Sequence, residues 1–500
     1  MYYLKNSLAA AAAGFFIAAP ATADITADDI WNDIGAYMAG IGYQISGTET
    51  REGSTLTIRN ISVTGSLGED AGAMRMELDD IALTETDDGA VSIGLPSVFP
   101  VVTEFTAPDG ESVTSMVEYR QTGLSARASG TPAEIVYDYD ADTISFLTSG
   151  PEVDGKSLYN AEGTASNITG TTTMKLAASR MYDQKMQAGG ATYLIRFSDA
   201  VGDGQGRLTG DIGALSFEGV SDLPAIVADP LNMSEMLERG FSTDGEMRMG
   251  AATHQVVSSG SAGEFDLSLA SDSTVFDIAM SAEGIRYEGT QNDVVARYQG
   301  SAYPFPFGFA AESTGFSMGM PLRESEEPAD FSAVLKLEGL TMDDFLWSIF
   351  DRGGALPRDP ATLIIDLAGK ARVLFDFLDP ASIAAAGENG EAPADIESLD
   401  VRELRLDLAG AELTGQGSFT FPETDMPVPR PVGGLDLSLK GGNGLLDKLV
   451  AIGLMPEEQA MGARMMLGLL AVPGDAPDTL NSRIEMNEQG HIIANGQRIQ

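Results

Sequence analysis

Alternation with a period of two, sustained over long stretches, is the feature that most narrows what this chain can fold into. In AGAELTGQGSFTF, Ala409, Ala411, Leu413, Gly415, Gly417, Phe419 and Phe421 fall on one side of an extended chain. Gly410, Glu412, Thr414, Gln416, Ser418 and Thr420 fall on the other. That is a long strand with one dry face. The scheme recurs at Leu363, Ile365, Leu367, Gly369, Ala371, Val373 and Phe375. It recurs in shorter form around Leu56, Met76, Ile195, Leu267, Ile278 and Met318. Such runs predict half-buried antiparallel strands. Asp88-Gly89, Asp109-Gly110, Asp154-Gly155, Asp203-Gly204, Asp244-Gly245 and Asn389-Gly390 predict tight hairpins between strands, because both residues of such a pair tolerate positive φ. Glycine inside a strand costs stability, so Gly415 and Gly417 predict a bend or a close approach by a ligand or another backbone.

The period changes to 3.6 in a few places. In TADDIWNDIGAYMAGIGY, Ile30, Trp31, Ile34, Tyr37, Met38 and Ile41 lie at helical spacing, with Thr26 as N-cap and Asp28 and Asp29 at the positive helix end. The polar side of this helix is acidic, so its apolar stripe is expected to pack on the sheet and not on a membrane surface. Further helices are expected to start near Met233, Met342 and Leu446. The last opens a helical hairpin whose second arm, PEEQAMGARMMLGLLAV, is apolar nearly all round apart from Arg464. It is too short to cross a membrane and is expected to be buried. The fold class that follows is mainly β with a few helices, of the α+β kind: long antiparallel, curved sheet or sheets with an N-terminal helix and a C-terminal helical hairpin. The expected divisions are a leader over 1–23, an amphipathic helix over 24–45, an N-terminal β-rich region over 46–240, and a C-terminal β-rich region over 241–500. The last carries helices near 342–351 and 443–472. Whether the sheets form one surface or two domains stays open at this level.

The first residues, MYYLKNSLAAAAAGFFIAAPATAD, have Lys5, an apolar run and Ala21-Thr22-Ala23 ahead of Asp24, which reads as a cleavable secretory signal. Cleavage after Ala23 leaves no transmembrane anchor, and the expected location is the periplasm of a Gram-negative bacterium. The chain has no cysteine, and at 500 residues it can bury enough core to fold without disulfides. Acidic residues number 74 against 30 basic ones, a formal charge of −44. That field repels nucleic acid, which is excluded as a partner, and otherwise favours solubility. The two histidines, His254 and His491, have no nucleophile motif to serve. Asp138-Tyr139-Asp140-Ala141-Asp142 departs from a calcium loop at Thr143 and Ser149 and reads as the wet face of a strand. No catalytic, cofactor-binding or metal-binding residues are expected, and no enzyme. The sequons at Asn60, Asn167 and Asn232 matter only in a glycosylating pathway.

The strand with A-x-L-x-G-x-G, the run LDLSLKGGNGLLDKL, and the closing pair around Gln489-Gly490 and Asn495-Gly496 resemble the alphaproteobacterial family called domain of unknown function 2125. The leader followed by D-I-W-N-D resembles its longer members. The resemblance implies no catalytic residues. Residues 399 to 440, with glycine-bearing strands, are also similar in style to AsmA-like envelope proteins, which implies a link to lipid movement. Two functions follow. One is a lipid-handling envelope protein with an apolar trough lined by Leu363, Ile365, Leu367, Val373, Phe375, Leu413, Gly415, Gly417, Phe419 and Phe421. The other is a structural or interaction scaffold of the envelope, with no small ligand, whose dry face is covered by its own helices and a second sheet. The partners expected are accordingly a lipid or other envelope proteins.

Overall fold

The computed structural model describes residues 24–500 apart from 67–71, 108–109, 111, 151, 154–155, 200–201, 228–231, 262, 390–391 and 423–429; the leader read over 1–23 lies outside the described residues. The helices are α1 (Ala27–Gly40), α2 (Met233–Glu238), α3 (Asp344–Phe350), α4 (Pro380–Asn389), α5 (Gly442–Ala451) and α6 (Glu457–Leu470). Thr26 caps α1 reciprocally: its Oγ1 accepts from the Asp29 amide at 3.1 Å, and its own amide donates to Asp29 Oδ2 at 2.9 Å. Asn232 caps α2 by accepting from the Glu235 amide at 3.0 Å, which explains one of the three sequons.

Almost every strand belongs to one antiparallel sheet. Its pairing has an unusual plan, in which a long strand divides into two lanes of short strands that later meet again on another long strand. Thr55–Ser66 pairs through its first half with Ile81–Glu85 and through its second half with Ala73–Leu78. The first lane continues through Val91–Gly94 and Ser125–Thr131, the second through Val98–Thr106 and Ser112–Thr122. Both lanes end on Glu134–Ser149. Tyr159–Leu176 follows and divides again. One lane is Ser179–Ala188, Leu215–Pro224, Ser242–Met249 and Ser273–Ser281; the other is Gly190–Ser198, Gln205–Ile212, Ala252–Gly260 and Gly263–Ser271. They rejoin on Gly284–Gly300. A single ribbon then runs through Tyr303–Met320, Ala329–Met342, Ala361–Val373, Ala394–Leu408, Ala411–Thr420, Val432–Lys440 and Thr479–Met486. Two pairings cross residue 240, so hydrogen bonding is continuous from end to end.

The seam between lanes has a local cause. Asn60, Asn167 and Asp293 stand in mid-strand with φ of 53°, 50° and 51°, and Gly339 with φ of 67°. One left-handed residue slips the alternation by a step. Residues on the α1 side are therefore Ile58 then Ile61, Ala165 then Ile168, Gln291 then Val294, and Leu337 then Leu340. Asn and Asp tolerate this conformation better than other non-glycine residues. The kink lets both lanes keep their apolar side on the same side. At the seam Ala141, Ile168 and Ala188 are buried, with Ile144 and Ala165 of the second lane and Tyr139, Met186 and Leu215 of the first packed against them.

The main core forms where α1 lies in the first lane. Ile25, Ala27 and Ile30 pack on Leu56, Ile58, Leu83, Val91, Ala128, Ile135 and Met174. Trp31 is half-buried at the margin, its Nε1 donating to Glu49 at 2.8 Å. Buried Arg180 donates to both carboxylate oxygens of Asp33, with Nη1–Oδ2 at 2.7 Å, and stacks on the Tyr37 ring at 4.6 Å. The Val227 amide donates to the Gly40 carbonyl at 3.0 Å, so a loop crosses the helix end. A second cluster joins Trp347, Leu356 and Ala409 to Leu445 and Leu449, placing α3 and α5 together near where the second lane ends.

Two expectations are corrected. Helix α6, which Pro456 caps, is not buried: Met465 is 72% exposed, and Met461, Met466 and Leu469 are exposed with it. Asp244-Gly245 is not a hairpin but the middle of Ser242–Met249, whereas Asp88-Gly89 and Asp203-Gly204 do lie in turns. Asp109, Asp154-Gly155 and Gly390 lie outside the described residues.

Candidate functional site

The inner face of the sheet, the side on which α1 lies, is mostly apolar, with its charged residues gathered around α1. In the first lane and the ribbon that continues it, Phe217, Met247, Phe276, Gly289, Phe316 and Leu335 face one another strand by strand. Ile365, Leu404, Gly415 and Leu437 extend the row. In the second lane the corresponding row runs from Tyr119 and Phe146 through Tyr193 and His254 to Phe309. Inward positions on the strands between Ser242 and Ala494 carry no Asp, Glu, Lys or Arg. The inward charges Glu49, Arg51, Glu85 and Arg180 all serve α1: Arg51 and the Ala27 amide both reach Glu85 at 3.2 Å. The remaining charge lies on the outer face and the edges.

Exposure separates this face into a floor and walls. Small residues along the seam are sealed, Ala252 at 3% and Ala311 at 7%, while the large side chains on either side stay open, Phe316 and Leu335 at 48% and Tyr119 at 43%. Among the described residues neither a second sheet nor a helix covers those walls. The arrangement is an open apolar face with a sealed seam along it, bearing α1 on the first lane at one end and α3 and α5 near the other.

Mid-strand glycines have a different cause from a ligand's approach. A Cβ at Gly163 would meet the Phe146 ring, one at Gly210 the Tyr193 ring, and one at Gly289 the Phe316 ring. Each glycine makes room for an aromatic ring laid across from the neighbouring strand. Gly415 sits under Leu437 and Leu404, whereas Gly417 faces the Gly434 carbonyl and admits no side chain at all.

The residues predicted from the sequence fall as follows. Leu363 pairs across to Leu406 and Leu413, Ile365 to Leu404 and Gly415, Leu367 to Val401 and Gly417, and Phe419 to Leu399. These seven share one surface. Val373 is sealed at 2% exposure at the end of its strand. Phe375 packs against Phe377 beyond the strand, their tilted rings 5.1 Å apart, and Phe421 lies past the end of its own strand. The sequence reading missed the second-lane wall. The same alternation marks it in the sequence, but only the register reveals that it shares a face with residues 363–419.

One polar pair interrupts that wall. Tyr193 Oη lies 2.8 Å from His254 Nδ1, bridging across Gly210 on the strand between them. Burial raises the Tyr193 phenol above its ordinary range, so it stays protonated, and it donates to Nδ1 or accepts from it according to the imidazole tautomer.

Residues 240–488 match the model of a protein family described as an uncharacterized protein conserved in bacteria, DUF2125. The DUF2125 match takes in the rejoining of the lanes, the single ribbon, α3, α5 and α6. It begins after α1 and the first division of the sheet. No curated protein and no solved structure matches the chain. Among the described residues no helix is long and apolar enough to cross a membrane.

Proposed function

We propose that the two lanes fold this face into a groove that binds an elongated apolar molecule, the acyl part of a lipid, and that the protein is a non-catalytic lipid-handling component of the periplasm. The observation that carries this reading is the inner face between Ser242 and Ala494, whose inward positions carry no Asp, Glu, Lys or Arg and whose large side chains are left open to solvent. A monomer rarely leaves so large an apolar patch exposed without a binding role. The similarity in style to AsmA-like envelope proteins and the leader-like first residues point the same way. The test is native mass spectrometry with lipid extraction of the purified protein, together with titration by the neutral fluorophore N-phenyl-1-naphthylamine. Co-purifying lipid and saturable probe binding are expected; a clean apo mass with no probe binding would refute the groove reading. A second reading, an envelope scaffold without a small ligand, is favoured by α6, whose exposed methionines offer an adaptable protein-docking face. It predicts no lipid, and association that is lost when Met461 and Met465 are replaced by serine.

A further inference from the structure

We propose that Tyr193 and His254 form a polar anchor within the groove, receiving the anionic oxygen head of an amphiphile whose chain lies along the inner face. This rests on the groove reading and adds the chemistry of the ligand's head. His254 is the one inward residue of the second lane that can become positively charged. From the strands Gly190–Ser198, Gln205–Ile212, Ala252–Gly260 and Gly263–Ser271, the only other titratable group facing inward is Tyr193 itself. The rest of those inward positions are apolar, glycine or serine. Nε2 has no hydrogen-bond partner among the described residues; it carries the proton in the neutral tautomer that accepts from Tyr193, and in the charged imidazole, whose Nδ1–H donates to the phenol oxygen instead. A donor on a dry wall, three strands from the Phe146 ring's glycine bed and next to Leu269, suits an acceptor brought in by a molecule that also offers apolar surface. A charged imidazole donates a charge-assisted hydrogen bond that a neutral one does not, so an anion should bind more tightly when His254 is protonated than when it is neutral.

The experiment displaces N-phenyl-1-naphthylamine with hexadecanesulfonate, anionic throughout, and with hexadecanol, at about pH 5.5 and about pH 8. The sulfonate should bind about tenfold more tightly than the alcohol at the acid pH, as a charge-assisted hydrogen bond allows, and the ratio should shrink at the alkaline pH. His254→Gln, which cannot be charged, should abolish the pH dependence of the preference for the sulfonate. Tyr193→Phe should weaken the preference without removing it. Repeating the titration with palmitate and with lysophosphatidate at the acid pH separates a carboxylate from a phosphate head. Equal displacement by sulfonate and alcohol, or a pH dependence retained in His254→Gln, overturns the anchor while the groove stands. Failure of the neutral probe to bind at all overturns the groove, and the anchor with it.

Discussion

Single residues decide the geometry of the seam, and their signal was present in the sequence but read for the wrong property. Asn60 and Asn167 open sequons, and in the structure both are left-handed residues that slip the alternation in mid-strand. The sequon arises because a β-branched residue resumes the strand and a serine or threonine follows on its wet face. Asp293-Val294 repeats the device without the sequon, and Gly339 repeats it with the residue that bears positive φ at no steric cost. An alanine at such a position carries the full penalty, about 1–2 kcal/mol, while a glycine escapes it. Asn167→Ala should therefore lower stability by roughly that amount, and Asn167→Gly should stay within about 0.5 kcal/mol of the wild type. Denaturant melts of the two variants check this. Equal losses for both would mean that the asparagine side chain, and not its backbone, holds the seam.

At the scale of elements, strands and the first helix were legible because period and capping are local properties, whereas the fate of α6 and the existence of α4 were not. An apolar helix can be recognised from its residues, but nothing local says whether the fold supplies a surface to receive it. The reverse holds for α1, whose acidic polar side and capped start predicted docking, and which is seated by Asp33 and Arg180. Burial first, then the nearby Asp33 carboxylate and Tyr182, push the Tyr137 phenol beneath this helix up to about 12 from 10.0. The unfolded chain releases this proton first as pH rises. The contribution to stability is thus fully present below about pH 10 and is lost progressively towards 12. Melting temperature measured across that window should fall in the wild type and fall less steeply in Tyr137→Phe. An identical slope in the variant would show that Tyr137 is solvated and that α1 does not seal the end of the groove.

For the whole molecule, alternation told which residues share a face of one strand but not which strands are neighbours. The two-lane plan, and with it the groove, therefore appears only in the pairing. Its consequence is a contrast between floor and wall that neither a packed core nor a bare sheet would produce. Ile168 on the floor is 4% exposed, so Ile168→Asp buries an unpaired charge and should cost several kcal/mol, on the order of 3 or more. Phe316 and Leu335 on the wall are about half open. Phe316→Asp and Leu335→Asp place a charge that water can reach, and each should cost no more than about 1 kcal/mol. Those same wall variants put a carboxylate where an acyl chain would lie, so binding of N-phenyl-1-naphthylamine should drop by about tenfold or more although the protein still melts normally. Measuring melting and probe binding on all three variants decides between a groove and a covered face. If the wall variants unfold as readily as Ile168→Asp, the inner face is covered in solution, and sedimentation should then show a second copy of the chain dissociating when Phe316 is charged. If they melt normally and bind the probe as before, the wall is exposed but is not where the ligand lies.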